Sequence, residues 1–229
     1  MKRTLLFLLV AVIAISVASC CKHTIKYCLP ESTLQFKEIY LVAVKDFKDQ
    51  RPEQERTGAD KQLFEFASRD EHFKTPVTEH LQDVFIKEFK EASLNADKYN
   101  KINKEQYDYI LSGTVKHFQA IMKPSKVSVV PYLGTAVSIW TKDRFVLAVE
   151  IEVVLKDSSG EIMLDQLYSF EDSKKLPTGL FNLARYSRGF NYKLQLLDEA
   201  LAEVAKNIRN DVLKNIHQRQ KTYRTYGTS

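Results

Sequence analysis

The stretch that most restricts how this chain can fold is Phe145 to Lys156. Phe145, Leu147, Val149, Ile151, Val153 and Leu155 fall on one parity, while Glu150, Glu152 and Lys156 fall on the other. A period of two sustained over this length fits a β-strand with one face in a core and one toward water. Asp157-Ser158-Ser159-Gly160 then supplies a turn, and Glu161 to Phe170 is predicted to return as an antiparallel partner. Upstream, Tyr107 to Met122 alternates around Gly113, a glycine that signals a bulge or close packing. Together these segments predict a three-stranded meander.

A sheet with one apolar face must bury it, and two helical patterns are available to cover it. Thr75-Pro76 reads as a helix start, Thr75 as N-cap and Pro76 at the first helical position. Val77, Leu81, Val84, Phe85, Phe89 and Ala92 then recur at helical spacing. Tyr192 to Gln218 carries Leu197, Leu201, Val204, Ile208, Val212 and Ile216 in steps of three and four, close to a 3.6-residue period. Phe36 to Phe47 is apolar on both parities, which predicts a central strand with the small Ala43 allowing close approach. Residues 50 to 75 read as a charged loop with a short edge strand near Leu63 to Phe66. The expected fold is α+β: a mixed, largely antiparallel sheet in the order strand, helix, three-strand meander, helix, with both helices on one face.

Composition narrows the function classes. With 44% hydrophobic and 28% charged residues, the chain is neither generally disordered nor a disulfide-dense scaffold. Its net charge of +5, from 34 basic and 29 acidic side chains, is too mild and too mixed to indicate nucleic acid as a partner. Most of its lipid-like character lies at the front. Lys2 and Arg3 precede a nearly continuous apolar run from Leu5 to Val17, shorter than the roughly 20 residues a spanning helix needs.

That run ends in Val17-Ala18-Ser19-Cys20, which resembles a bacterial lipobox. The resemblance implies cleavage before Cys20 and acylation of that residue, palmitate included, so residues 1–19 are a removed signal. An ordinary signal peptide with an incidental cysteine, or an amino-terminal anchor, is the alternative. Two or three acyl chains hold a protein firmly at a membrane, each buried methylene contributing about 0.8 kcal/mol. Residue 21 is Cys rather than Asp, which by the same resemblance favours the outer membrane, with the domain facing the periplasm. Residues 20–35 read as a lipidated tether, 36–218 as one domain and 219–229 as a basic tail. Cys21 and Cys28 either form a disulfide across a short loop or remain separate thiols.

The order of elements resembles a group of envelope lipoproteins that includes YajG-like proteins, the amino-terminal domain of TolB and CsgG-like proteins. The residues that carry it are VASC, IYLVAVKDFKDQRP in the first strand, YDYILSGTV in the second, and the hairpin VEIEVVLKDSSGEIMLDQLYSF. The resemblance implies the fold more than a function.

Two apolar insertions stand out within the domain. Residues 127–140 hold Val130, Tyr132, Leu133, Ile139 and Trp140 and contain no charge, and residues 176–192 hold Leu180, Phe181 and Tyr186. Both flank the same antiparallel strands. They read either as a surface for an envelope protein or the membrane interface, or as a small subdomain whose members bury one another.

Catalytic patterns are missing from the sequence. The five histidines form no HExxH, no CxxC exists, and the seven glycines form no phosphate-binding loop. No metal or cofactor is therefore expected. Glu71-His72 and Glu79-His80 are neighbours whose side chains point apart, and both are expected on the solvated surface. The densest polar group at a strand end is Asp46, Asp49 and Arg51, just before Pro52, a place where functional side chains gather. The expectation is a non-enzymatic binding or assembly module in an envelope transport or secretion system. A carrier of lipid or another apolar ligand is the second reading and an envelope hydrolase the third.

Overall fold

The computed structural model describes residues 22–25, 40–58, 66–123, 142–176 and 183–226. The alternating segment forms the centre of the molecule. Strand β6 (Asp143–Asp157) lies between β5 (Tyr109–Lys123) and β7 (Ile162–Leu176), antiparallel to both. Its six apolar residues from Phe145 to Leu155 are buried, and the opposite parity is half-buried or exposed. The meander thus follows the sequence pattern, with β6 and β7 longer than expected. At the β6–β7 turn, Asp157 Oδ1 accepts the Ser159 and Glu161 amides, both at 3.0 Å, and Gly160 takes the positive φ of 89° that the turn requires.

Strand β1 (Leu41–Val44) sits between β5 and β4 (Asn95–Lys98), parallel to both, with Val42, Ala43 and Val44 fully buried. Two two-residue strands, β2 (Lys48–Asp49) and β3 (Phe66–Ala67), continue along the same edge of β5. This gives a seven-stranded mixed sheet with the main order β4-β1-β5-β6-β7. The short strand expected near Leu63 to Phe66 is β3, at the far end of that range. Strand β4 has no sequence signal, because only Ala96 of its four residues is buried and the segment Asn-Ala-Asp-Lys does not alternate.

Helix α1 (Glu53–Thr57) is a short turn within the expected loop. Helix α2 (Val77–Glu91) crosses from the β1 region to β4, and helix α3 (Leu183–Tyr226) runs along the meander. Both lie on the same face of the sheet, as a bond between Glu88 of α2 and Arg209 of α3 requires. The stripe from Leu197 to Ile216 is buried throughout. Pro76 occupies the N-cap of α2 with an extended backbone, one place earlier than expected, and Thr75 makes no capping bond.

Three boundaries differ from the sequence reading. Residues 183–192 begin α3 instead of belonging to an insertion, and residue 176 ends β7. Residues 219–226 extend the helix instead of forming a tail, and Arg219 explains the extension. It reaches back to Asp157 (3.0 Å) and Glu161 at the hairpin turn, fastening the end of α3 to the meander. Finally, Lys22–Ile25, read as part of a tether, packs on the domain, with Ile25 in the core.

Gly113 marks close packing. A Cβ at this position would lie 2.2 Å from Cε1 and 2.5 Å from Cδ1 of Phe47, whose ring stacks on Phe85 at 5.7 Å. The Phe47 ring has its other face against Phe85 and cannot retreat. Gly113→Ala is expected to cost about 1–3 kcal/mol by overpacking, measured as a fall in the urea midpoint. Phe47→Leu in the same chain should restore part of the loss, which a purely backbone effect at residue 113 would not allow.

Candidate functional site

The polar residues at the end of β2 come together as an ion-pair network. The guanidinium of Arg51 has only 3% exposure, and it donates from Nε to Asp49 Oδ1 (3.0 Å) and from Nη2 to Asp49 Oδ2 (2.8 Å). Its Nη2 also reaches Asp70 Oδ1 at 2.8 Å, and Arg56 donates to the other oxygen of Asp70 at 3.1 Å. Burial opposes ionisation of Asp49, yet the hydrogen bonds and charge of Arg51 outweigh it and hold the carboxyl below its usual range. In the same way, burial would lower the Arg51 pKa, but Asp49 and Asp70 raise it. A bidentate pair with both charges stabilised is a fastener between β2, α1 and the 3-10 turn at Asp70–His72.

Asp46 is not part of that network. It accepts a hydrogen bond from Gln82 Nε2 at 2.8 Å, and the same amide donates to the Val44 carbonyl at 3.0 Å. The three polar candidates therefore divide between two structural contacts. Gln82 had no signal in the sequence, because a lone glutamine within an amphipathic helix is unremarkable. Glu55 was missed because it lies in the segment read as a charged loop. Its carboxylate lies 2.5 Å from His117 Nδ1 and accepts the Phe118 amide at 3.3 Å, filling the gap at the bulge between Val115 and His117.

The histidine neighbours expected at the surface are partly enclosed. His72 Nδ1 accepts the Arg69 amide at 3.0 Å, and burial, with the nearby Lys193 charge, pushes the ring down to about pH 4. His80 is lowered in the same direction, chiefly by burial. Lys193 is fully buried on α3, where its Nζ donates to the Ala67 carbonyl at 3.0 Å, and burial brings its pKa down to about 7. Sequence reasoning missed this lysine because it precedes the apolar stripe that marks the buried face of the helix.

Beside this cluster the amino-terminal segment docks. The His23 amide donates to the His72 carbonyl (2.6 Å), the Lys74 amide donates to the His23 carbonyl (2.9 Å), and His23 Nε2 lies 3.0 Å from Asp198 Oδ2. The side chains of His23 and Asp198 are 18% and 10% exposed. Residue 23 is thus fixed to both the 3-10 turn and α3, three positions after Cys20.

Cys20, Val130, Tyr132, Leu133, Ile139, Trp140, Leu180 and Phe181 lie outside the described residues, as do Cys21 and Cys28. Tyr186 belongs to α3, with its side chain outside the description. The attachment points of the two apolar segments are nevertheless adjacent. Lys123 and Arg144 are register partners at the ends of β5 and β6, and Asp143 pairs with Leu176 at the end of β7. Among the described residues, no three His, Cys, Asp or Glu side chains group as metal ligands, and no helix is long and apolar enough to cross a membrane.

This fold is already seen in a bacterial protein. Protein XCC0632 from Xanthomonas campestris, of the family described as DUF330, superposes with a TM-score of 0.54 at 10% identity, covering 88% of this chain and 99% of that one. The lipoprotein GNA1162 from Neisseria meningitidis covers 75% of this chain and 99% of its own at 13% identity, with a TM-score of 0.34, too low to carry an inference. No protein-family model matches the sequence, and neither does any curated protein. The XCC0632 likeness concerns the fold: a mixed sheet with its helices on one face.

Proposed function

We propose that the chain is a lipid-anchored protein of the bacterial envelope that binds or assembles other envelope components and catalyses no reaction. The observation that carries this reading is the docked segment. A lipobox-like VASC is followed, three residues after its cysteine, by a chain bonded to the domain through His23, His72 and Asp198. An acylated Cys20 would hold the domain directly against its membrane, a short-leash arrangement suited to a fixed assembly part. The polar groups that could have served chemistry are engaged in fastening elements together. The likeness of its short motifs to YajG-like, TolB amino-terminal and CsgG-like proteins, and an outer-membrane location facing the periplasm, belong to the same proposal.

The partner surface in this reading is formed by Val130, Tyr132, Leu133, Ile139, Trp140, Leu180, Phe181 and Tyr186, because both apolar segments leave the sheet at neighbouring strand ends. Wild-type protein from envelope fractions should carry diacylglyceryl and acyl mass on Cys20, and Cys20→Ala should lose both. A wild type without acyl mass, as membrane-bound as the variant, removes the anchor. Crosslinking in intact envelopes should recover a membrane protein with the wild type and lose it with Leu133→Asp combined with Trp140→Asp. Unchanged recovery removes those segments as the interface.

A further inference from the structure

The sheet face turned away from the helices has an uneven distribution of charge. At the end of the meander, Lys123, Arg144 and Lys175 are direct register partners across β5, β6 and β7. Like charges placed opposite one another destabilise a sheet, and here three cations occupy one row. Exposed Lys142 immediately precedes it. The next row on this face, Ile121, Val146 and Ser173, is neutral, and the first acid, Glu171, comes only in the row after that, with Gln119 and Ala148. Arg144 and Lys175 are exposed, and Arg144 Nε donates to the neutral Ser173 hydroxyl at 2.7 Å. Among the described residues, the strand register sets no acid opposite Arg144 or Lys175 in this row.

The docked amino terminus lies at the same end of the sheet. Consecutive residues of α3 contact both regions: Asp198 bonds His23, and Glu199 pairs with Lys174 at 3.5 Å, next to Lys175. Lys174 is paired with the core residue Phe145 and Lys175 with Arg144 on the other parity, so the anchor-bearing segment sits at the same end of the sheet as the basic row but on its opposite face. Three peptide units, at most about 11 Å of chain, separate Cys20 from His23 in the sequence. Exposed Lys22 and Lys74 add positive charge at that point. We propose that the row Lys123–Arg144–Lys175, with Lys142, is a docking surface for the anionic headgroups of the membrane that holds Cys20, an inference that rests on the reading of Cys20 as acylated. The lipid anchor supplies attachment and the basic row supplies orientation: it turns this end of the sheet toward the bilayer.

The test uses the chain from residue 20 onward with Cys20→Ser, which retains every described residue but has no acyl group. At low ionic strength it should sediment with mixed phosphatidylglycerol–phosphatidylcholine vesicles, and far less with phosphatidylcholine alone. The triple variant Lys142→Gln, Arg144→Gln, Lys175→Gln should bind the anionic vesicles on the order of 100-fold more weakly, about fivefold per basic residue. Lys156→Gln, on the same face at the opposite end of β6, should bind as the parent does. The melting temperature of the triple variant should equal or exceed the parent's, which separates lost binding from lost folding. Equal sedimentation with both vesicle types, or a triple variant that binds like the parent, overturns the proposal. If native protein carries no acyl mass while this pattern holds, the anchor is wrong and the row remains a membrane-binding surface.

Discussion

Replacing Arg209 with Met is expected to destabilise the domain by about 3–5 kcal/mol near neutral pH. Arg209 Nη1 lies 3.0 Å from Glu88 Oε2, both side chains are 4% exposed, and they form the polar link between α2 and α3 within the layer that covers the sheet. Burial already raises the Glu88 pKa, and Arg209 is what restrains it. Without the guanidinium, a carboxylate is left in an apolar layer. The sign of the pH dependence follows. A raised folded pKa means that the folded state holds its proton more strongly than the unfolded chain. The damage should therefore shrink as the pH falls through the window between the ordinary carboxylate value and the raised folded one, and Glu88 becomes neutral. Combining Arg209→Met with Glu88→Met should bring stability back to within about 1 kcal/mol of the wild type, or above it, since replacing a whole buried pair with apolar groups is often neutral or favourable. Urea unfolding of the two single variants and the double variant measures the coupling. A single variant that loses less than about 1 kcal/mol would show that the pair is not desolvated as its burial indicates.

Lys193→Met should act in the opposite direction. The lysine is fully buried and its folded pKa is about 7, against an ordinary value of 10.5. Between these values the unfolded chain binds a proton that the folded chain does not, so stability rises with pH across the window from about 7 to about 10.5. Each pKa unit corresponds to about 1.36 kcal/mol, which puts the full rise on the order of 5 kcal/mol. Methionine has similar reach and no charge to desolvate. It loses the bond to the Ala67 carbonyl, worth about 1 kcal/mol, and should still leave the domain more stable than the wild type at pH 7. Denaturant midpoints measured from pH 6 to pH 10 should climb for the wild type and remain nearly level for the variant. Parallel curves would mean that Lys193 keeps its proton in the folded state.

The legibility of the sequence varied with how each element is stabilised. Strand β6 and the α3 stripe were readable because burial on one face imposes a period on the residues themselves. Strand β4 was not, since its identity comes from backbone pairing with β1 and requires one small buried side chain. The helical start at Leu183 was hidden by Gly189 and the aromatic residues around it, and the extension past Gln218 by a basic composition whose partner, Asp157, lies far away in sequence. At the candidate site, Asp49 and Arg51 are two residues apart and pair directly, so their contact is local in the sequence. Asp70, Gln82 and Glu55 complete the polar contacts from 19 to 62 positions away, and no periodicity marks such long-range partners.

The short amino-terminal dock also acts as a mechanical latch. Tension drawn through Cys20 would load the two backbone bonds between His23 and the 72–74 segment, and the His23–Asp198 contact behind them. The described dock, residues 22 to 25, lies outside the seven-stranded sheet, so its release would leave the strand pairing of that sheet in place. Release would also withdraw Ile25 from the core, so the latch opens only at a cost in buried apolar surface.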